Sequence, residues 1–280
     1  MKFKKYTLST TDQNWVEKLL ADVKNYDSLE DLVNRTRYST SHLEGVDQRL
    51  ISIIQQFHGG SIDLVEIYNI PRKVDNEILS ILFASLFGNV VRFLDEGDYI
   101  VEIKASIVES NQPSFRNQLR FPLHTDLTYV NSPPRYILMH GIHSDSNIFG
   151  GESLFCSVND LLADLPIDVR RELQREQFIF SIPSHYTGKP IKEKSILMYN
   201  PKNDQYFVRF RQDTISCTNQ SGKDAIEKLI ACLDDHTVKY SITSNSILIF
   251  DNYRCLHGRE QIKESGVRKR ILHRVYVNKY

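Results

Sequence analysis

The sequence predicts an α+β protein, a β-sandwich or barrel of jelly-roll type with helices packed outside it. Helical periodicity of 3.6 residues dominates the first ~90 residues, and from Val90 onward many short segments suit β-strands separated by turn residues. No repeat, low-complexity run or long linker divides the 280 residues. We therefore expect one domain over 1–280, with 1–90 mostly helical and 91–280 forming the jelly-roll core with inserted helices.

Three helices and one strand are predicted in the first part. The first helix follows Thr10-Thr11-Asp12, which supplies N-cap chemistry, and the second spans 46–57 and ends at Gly59-Gly60. A third helix is predicted for 78–87, and a short strand for 62–68.

Eight strands and two helices are predicted after residue 90. The strands are 99–103, 119–127, 136–139, 178–182, 195–199, 206–210, 246–250 and 270–277. One helix is predicted at 168–177. A second helix is predicted because Ile226, Leu229, Ile230 and Leu233 follow helical spacing.

Composition excludes several classes of protein. Lys+Arg and Asp+Glu both number 35, so no charge excess favours nucleic acid or an anionic membrane as a partner. No apolar run approaches the ~20 residues of a membrane span, and no apolar core follows the basic start. The four cysteines fit neither a disulfide framework nor a CxxC zinc pattern, so we expect a reducing, cytoplasmic location.

The tripeptide His124-Thr125-Asp126 is the first candidate for chemistry. An imidazole and a carboxylate two residues apart on a strand lie on the same face and could hold one metal ion. The pattern H-x-[D/E] is weak alone, since nine histidines and 35 acids predict about one by chance and the sequence has three. Only His124 combines strand alternation with an apolar opposite face.

Two later segments complete the pattern. His257 follows the apolar strand 246–250, beside a glycine that permits close approach. On the strand 270–277, Arg270 and Arg274 share a face about 13 Å apart, at ~3.3 Å per residue, and could bind two different anions. Two histidines and one aspartate leave three positions of an octahedral ion open, as in the facial triad of non-heme Fe(II) oxygenases.

At this point the sequence resembles the taurine-dioxygenase-like and clavaminate-synthase-like Fe(II)/2-oxoglutarate oxygenases. The segments that carry the resemblance run, in family order, from about residue 60 onward: Phe-Pro-Leu-His124-Thr-Asp126-Leu-Thr-Tyr, Pro133-Pro-Arg-Tyr, Gly150-Gly-Glu-Ser153, Asp251-Asn-Tyr-Arg-Cys-Leu-His257-Gly-Arg and Arg270-Ile-Leu-His-Arg274.

The resemblance implies a double-stranded β-helix in which His124, Asp126 and His257 hold Fe(II). It implies that Arg270 binds the distal carboxylate of 2-oxoglutarate, with Ser153 in place of the family's usual Thr. Oxidative decarboxylation of this cosubstrate by O₂ would be coupled to hydroxylation of a C–H bond. Arg268 is the alternative cosubstrate arginine if the register of the strand differs.

The resemblance also suggests a substrate, a free amino acid or a small carboxylate-bearing derivative oxidised at an unactivated carbon, and a role in natural-product biosynthesis. Arg274 would bind its carboxylate, Asp213 its amine or polar side chain, and Asn117 would add a hydrogen bond. The polar stretch 109–118 is predicted to be a loop that closes over the substrate. Neither the oligomeric state nor the role of the first ~60 residues follows from the sequence.

Alternatives remain open at this level. The same cofactors could support desaturation, cyclisation or epimerisation. A catalytically silent cupin-like binding protein would be expected to lose a ligand or the cosubstrate arginine, whereas a zinc hydrolase would leave Arg270 and the Gly150-Gly151 segment unexplained. His140, His143 and His273 are interpreted as structural or loop histidines, and Arg254 and Arg259 either support His257 or form surface salt bridges.

Overall fold

The computed structural model describes residues 1–23, 26–38, 45–71, 74–93, 97–104, 117–144, 150–183, 189–263 and 270–279. Within these ranges the helices are α1 (Thr10–Val23), α2 (Leu29–Tyr38), α3 (Gln48–His58), α4 (Asn76–Ser85), α5 (Val158–Asp164), α6 (Ile167–Leu173) and α7 (Gln220–Asp235). The strands are β1 (Phe3–Thr7), β2 (Leu64–Tyr68), β3 (Asn89–Val91), β4 (Ile100–Lys104), β5 (Phe121–His124), β6 (Tyr136–Ser144), β7 (Ser153–Ser157), β8 (Phe178–Phe180), β9 (Ile191–Lys194), β10 (Leu197–Asn200), β11 (Gln205–Val208), β12 (Ile215–Cys217), β13 (Val238–Tyr240), β14 (Ile247–Asp251), β15 (Cys255–Arg259) and β16 (Arg270–Asn278).

Two sheets face each other and form the jelly-roll core. The larger has seven strands in the order β1-β2-β14-β6-β16-β3, with β4 also paired to β16, and the smaller has the order β13-β7-β15-β5. Pairing is antiparallel except between β1 and β2, which run parallel. The space between the sheets is filled by an apolar cluster that includes Ile137, Phe155, Phe250 and Leu272.

Helices cover the outer faces of both sheets. The first four helices pack on the larger sheet through a cluster that includes Trp15, Leu50, Phe83 and the outward-facing Val275. The remaining helices and the two- and three-stranded sheets β10-β11 and β12-β8-β9 pack on the smaller sheet through a second cluster. The larger sheet is therefore buried on both sides, which accounts for the fully buried run Ile247–Asp251 of β14.

The predicted fold class is confirmed, and the differences lie in single elements. The first part of the chain also contains β1, α2 and β3, which the sequence analysis did not predict. The predicted strand 119–127 is shorter, because β5 ends at His124 and a turn follows. His257 was predicted at the exit of a strand, but it lies in the middle of β15.

Among the described residues, every helix is too short or too polar to cross a membrane.

Candidate active site

His124 and Asp126 are placed by the end of β5 and the turn after it. The sequence analysis predicted that strand alternation continues to Asp126. It does not, because the chain turns directly after His124 and Leu127 adopts a positive φ of 55°. Asn252 fixes this turn from the loop after β14. Its Oδ1 accepts a hydrogen bond from the Asp126 backbone N–H at 2.8 Å, and its Nδ2 donates to the Asp126 carbonyl at 3.3 Å. The backbone of Asp126 is thus held by a buried amide on both its polar groups.

His257 reaches the same point by cross-strand pairing. Antiparallel β15 and β5 place His257 directly opposite His124, with ring centroids 4.4 Å apart. Close approach of the two strands requires Gly258, since a Cβ there would lie 2.5 Å from the carbonyl oxygen of Phe121. The glycine beside His257, noted in the sequence, therefore sets the distance between the two histidines.

The three side chains converge on one small volume. Asp126 Oδ1 lies 3.3 Å from Nε2 of His124 and 3.6 Å from Nε2 of His257, and the three ligand atoms all lie within 4.8 Å of one another. Among the described residues, no other group of three His, Cys, Asp or Glu could hold a metal ion.

The donor set fits a divalent transition metal. Nδ1 of His124 lies 2.8 Å from the carbonyl oxygen of Pro122. Because a carbonyl oxygen can only accept a hydrogen bond, Nδ1 carries the proton, and the lone pair of Nε2 faces Asp126. Nε2 of His124 is buried without a hydrogen-bond partner in the described part of the chain. A buried acceptor of this kind is costly unless something binds it, and two imidazoles with one carboxylate suit Fe(II).

The charge of Asp126 is stabilised inside the protein. Burial would raise the pKa of this carboxyl group, but the positive charge of Arg274 holds it well below its usual value. Its second oxygen, Oδ2, accepts hydrogen bonds from the Tyr276 hydroxyl at 2.8 Å and from Nη1 of Arg274 at 3.2 Å. Asp126 is therefore ionised, with one oxygen facing the histidines.

His257 is neutral for a different reason. Burial, followed by the neighbouring His124, lowers the pKa of its imidazole to about 4 against the attraction of Asp126. A neutral imidazole is the form that binds metals. Both the carboxylate and this histidine are thus in the protonation state that metal binding needs at neutral pH.

Arg270 and Ser153 form a second polar group in the same space. Arg270 donates to the Gly151 carbonyl at 2.7 Å and to Oγ of Ser153 at 3.0 Å. The guanidinium is buried, and its pKa is lowered to about 10, first by burial and then by the nearby charge of Arg259. No carboxylate lies within 4 Å of it among the described residues, and Ser153 has no acceptor there for its own proton.

The glycines of the Gly150-Gly151 segment allow this arrangement. Both have positive φ, 81° and 80°, and a Cβ on Gly150 would lie 2.1 Å from the carbonyl oxygen of Gln261. Only glycine fits so close a contact in this conformation. The segment therefore lies against residues 261–262 with the Gly151 carbonyl facing Arg270.

Two cavities adjoin these residues. The first, of about 50 Å³, is lined by Ile103, Phe121, His124, Met139, Ser153, His257, Gly258, Arg259, Arg270, Leu272 and Arg274. The second, of about 330 Å³, shares Phe121 and His124 with the first and is also lined by Arg211 and Asp213. The volume of the second cavity is typical of small-molecule sites, whereas the first is smaller.

The structure places the three predicted substrate residues differently. Arg274 lines the first cavity, but its Nη1 donates a hydrogen bond to Oδ2 of Asp126. Asp213 lies in the second cavity, where Arg211 donates to both of its carboxylate oxygens at 2.7 and 2.9 Å. Asn117 lines neither cavity. It is buried, and its Oδ1 accepts a hydrogen bond from the Leu119 backbone N–H.

The neighbouring histidines have structural partners, as predicted. Ser80 lies between Nδ1 of His140 and Nδ1 of His273, at 2.9 and 3.2 Å, on the outer side of the larger sheet. His143 is exposed. The predicted closing loop 109–118 falls outside the described residues except for its last two positions, and Arg268 also lies outside them.

Arg254 belongs to a buried network of ion pairs and does not form a surface salt bridge. It forms ion pairs with Asp63 at 3.1 Å and Asp251 at 2.8 Å, and all three side chains are almost fully buried. It also donates to the carbonyls of Phe57, Gly60 and Ile62. The network thus joins the end of α3 to the segment that carries His257.

Three functional contacts were missed by sequence reasoning. Tyr276 binds Asp126, Asn252 holds the Asp126 backbone, and Arg211 pairs with Asp213. Tyr276 had a signal, since it shares the Arg270–Arg274 face of its strand. The partners of Asn252 and Arg211 follow from tertiary contacts that no local pattern reports.

Comparison with known proteins places this fold and site in a family. The family model described as taurine catabolism dioxygenase TauD, TfdA family, matches residues 83–276. Clavaminate synthase 2 of Streptomyces clavuligerus is 26% identical over 159 residues, which cover 55% of this chain and 48% of that protein. The match thus spans about half the length of this curated relative.

Solved structures show the same fold over nearly the whole chain. An asparagine oxygenase in complex with Fe(II), 2S,3S-3-hydroxyasparagine and succinate has a TM-score of 0.83 at 15% identity, covering 98% of this chain and 93% of that one. The non-heme iron oxygenase OrfP in complex with Fe and alpha-ketoglutaric acid has a TM-score of 0.80 at 15% identity, with 98% and 94% covered.

The fold and the site together define a jelly-roll protein with a buried His–Asp–His cluster. The chain belongs to the taurine catabolism dioxygenase TauD/TfdA family, as the motifs predicted.

Proposed function

We propose that this chain is an Fe(II)- and 2-oxoglutarate-dependent oxygenase that hydroxylates a small polar metabolite. His124, Asp126 and His257 would hold the iron, since their ligand atoms converge and since Asp126 and His257 are in the protonation states that metal binding needs. With iron and 2-oxoglutarate bound, these groups supply the oxidising chemistry with O₂. The protein contributes binding, orientation and exclusion of water.

One observation carries the proposal: Arg270 is a buried guanidinium without an acid partner among the described residues, in the same cavity as the two candidate histidine ligands. A buried, uncompensated positive charge is costly, so its presence favours a site that binds an anion. The planar guanidinium can bind a carboxylate through two parallel hydrogen bonds, and the Ser153 hydroxyl can donate a further one. The distal carboxylate of 2-oxoglutarate has this chemistry.

The substrate is proposed to be a free amino acid or a carboxylate-bearing derivative. Arg274 and Asp213 line two cavities that share His124 and Phe121, so one zwitterion could contact both. Arg274 would exchange its hydrogen bond to Asp126 for one to the substrate carboxylate, and Asp213 would exchange its pairing with Arg211 for one with the substrate amine or polar side chain. Asn117 would act indirectly, because it lines neither cavity. The similar structures hold amino-acid products, hydroxyasparagine in one and hydroxyarginine in another, and this supports the class.

Spectroscopy tests the proposed cofactors without knowledge of the substrate. Fe(II) and 2-oxoglutarate are added under anaerobic conditions, and a visible charge-transfer absorption is expected when the keto acid chelates iron. The band should be absent in His257→Ala and should need far more 2-oxoglutarate in Arg270→Ala. If wild-type protein binds iron but gives no band at millimolar 2-oxoglutarate, the proposal is wrong.

A screen identifies the substrate and the outcome. Succinate release is measured with candidate amino acids and their derivatives, and the products are analysed by mass. A gain of one oxygen supports hydroxylation, whereas loss of two hydrogens would indicate desaturation or cyclisation.

The four cysteines are free thiols, which fits the reducing cytoplasm where we propose that the reaction occurs.

A further inference from the structure

The hydroxyl of Tyr276 contacts the carboxylate of Asp126 on the oxygen that does not face the histidines. Oδ1 lies 3.3 Å from Nε2 of His124 and 3.6 Å from Nε2 of His257. Oδ2 accepts from the Tyr276 hydroxyl at 2.8 Å and from Arg274 at 3.2 Å. The two oxygens of one carboxylate therefore have separate surroundings.

We propose that Tyr276 is a positioning residue that reserves Oδ2, so that Asp126 offers only Oδ1 to the metal. This inference rests on the proposed function. A carboxylate can bind a metal through one oxygen or both, and an oxygen that already accepts two hydrogen bonds is a poor second ligand. Restricting Asp126 to one oxygen leaves more of the ion's positions for the cosubstrate.

The hydroxyl of Tyr276 is better suited than the guanidinium of Arg274 to hold Oδ2 of Asp126. Arg274 lines the cavity and is proposed to bind the substrate carboxylate, which would draw its guanidinium away from Asp126. Tyr276 would then be the remaining donor of the two on Oδ2. Its ring is 2% exposed and stacked on Phe93, with centroids 5.4 Å apart, and its backbone is paired with Ile137 and Val91. The donor is therefore rigid.

The test compares Tyr276→Phe with the wild-type protein, using Co(II) as the metal probe. This substitution removes the hydroxyl oxygen and retains the stacked ring. The Co(II) dissociation constant is measured by competition with a chelating dye, and visible absorption of bound Co(II) reports its coordination number and symmetry. Loss of a group that orients a ligand typically weakens metal affinity 10–100-fold. We expect a loss of about tenfold and an altered Co(II) spectrum.

Tyr253→Phe is the matched control. Its hydroxyl also makes a 2.8 Å hydrogen bond, but to the carbonyl of Pro133 and not to a candidate ligand. This variant should bind Co(II) with wild-type affinity and spectrum. If Tyr276→Phe matches the wild type in both measurements, or if Tyr253→Phe changes them equally, the positioning role is wrong.

A second measurement keeps the test valid if Tyr276→Phe is less stable than the wild-type protein. The increase in melting temperature caused by Co(II) is compared within each variant, so that the metal-free protein is its own reference. A smaller increase than in wild type supports the inference, and an equal increase overturns it. Failure of wild-type protein to bind Co(II) would instead contradict the proposed metal site.

Discussion

At the scale of single residues, Asp126 connects most of the polar groups of the site. Its backbone is held by Asn252, one carboxylate oxygen faces two histidines, and the other meets Arg274 and Tyr276. Because partners within the protein already stabilise its charge, Asp126 does not depend on a metal ion to remain ionised. The metal-free site is therefore preorganised.

Removal of any candidate ligand should abolish turnover. His124→Ala, His257→Ala and Asp126→Ala are each expected to lower succinate formation with Fe(II) by at least 100-fold, because no spare ligand adjoins the cluster in the described part of the chain. The histidine variants should retain the far-UV circular dichroism of the wild type. Asp126→Ala should also be less stable, since it removes the buried carboxylate that pairs with Arg274.

His143→Ala is the control for these variants, because this histidine is exposed on β6 and away from the cluster. Its activity should equal that of the wild type. Full activity in any one ligand variant would contradict the assignment of that residue.

Loss of Arg270 should affect the cosubstrate more than the substrate. Arg270→Ala is expected to raise the apparent KM for 2-oxoglutarate by 100-fold or more, because a charge-assisted, two-point contact is lost. Arg270→Lys should recover only part of this affinity, since an ammonium is a point charge. An unchanged KM for 2-oxoglutarate in Arg270→Ala would make Arg268 the better candidate.

Single residues were predictable where a motif fixes the side-chain type, and less so where a partner decides the role. His124, Asp126 and His257 come together as the sequence indicated. Arg274 and Asp213 also lie beside the cavities, but their ion pairs with Asp126 and Arg211 depend on side-chain packing. The sequence contains no local signal for such pairs.

At the scale of elements, β16 separates two kinds of chemistry on its two faces. Arg270, Leu272, Arg274 and Tyr276 face the smaller sheet, as alternation predicted, whereas His273, Val275 and Val277 face the helices. His273 is paired across the sheet with His140 of β6. Both histidines lie against Ser80 of α4.

This histidine pair should make stability depend on pH. Burial, and then the charge of His273, lowers the pKa of His140 to about 4, and burial also lowers that of His273. Because unfolding returns His140 to a pKa of ~6.5, the unfolded state binds more protons, and stability falls as the pH decreases from about 6.5 toward 4. The loss from His140 alone is about 2 kcal/mol at pH 5.

Urea unfolding at pH 7.5 and pH 5 measures this loss. His140→Gln should show a smaller difference between the two pH values than the wild type, and the exposed His143→Gln should show the same difference as the wild type. Equal pH dependence in His140→Gln and the wild type would contradict the prediction.

The network around Arg254 should stabilise the junction between α3 and the segment of His257. Arg254→Met would leave Asp63 and Asp251 buried without this partner. Breaking a buried ion pair costs about 3–5 kcal/mol. Lys104→Met, which removes an exposed ion pair with Glu102, should cost less than about 1 kcal/mol. The free energies of unfolding, measured with urea, should differ accordingly, and equal values would refute the role.

Elements were predictable where periodicity or a cap is strong. The stripe that became α3 and the amphipathic α7 were both predicted. Strand β1 was missed because its five residues include two exposed lysines and its stability comes from pairing with β2. Strand β15 was not predicted, and the role of Gly258 within it becomes apparent only beside β5.

At the scale of the whole molecule, the fold should not require the metal. The three apolar clusters contain none of the three candidate ligands, and Asp126 has its own partners. We expect protein treated with EDTA to keep its far-UV circular dichroism. Metal at 100 times its Kd adds about 2.7 kcal/mol, so adding Mn(II) should raise the melting temperature by several degrees. Loss of secondary structure on chelation would show that the metal is structural.

The long-range pairing of β16 has a consequence for the folding kinetics. The contacts that complete the site join residues far apart in sequence, 150 positions between Asp126 and Tyr276 and 117 between Ser153 and Arg270. Contacts of such long range require closure of long loops and are slow to form. In a chain whose β16 has not yet docked, His124, Asp126 and His257 would lack the groups that hold the Asp126 carboxylate and the arginine proposed to bind the cosubstrate. Iron bound to such a chain would meet O₂ without 2-oxoglutarate, so metal-catalysed self-oxidation would be a risk of that state and not of the native one.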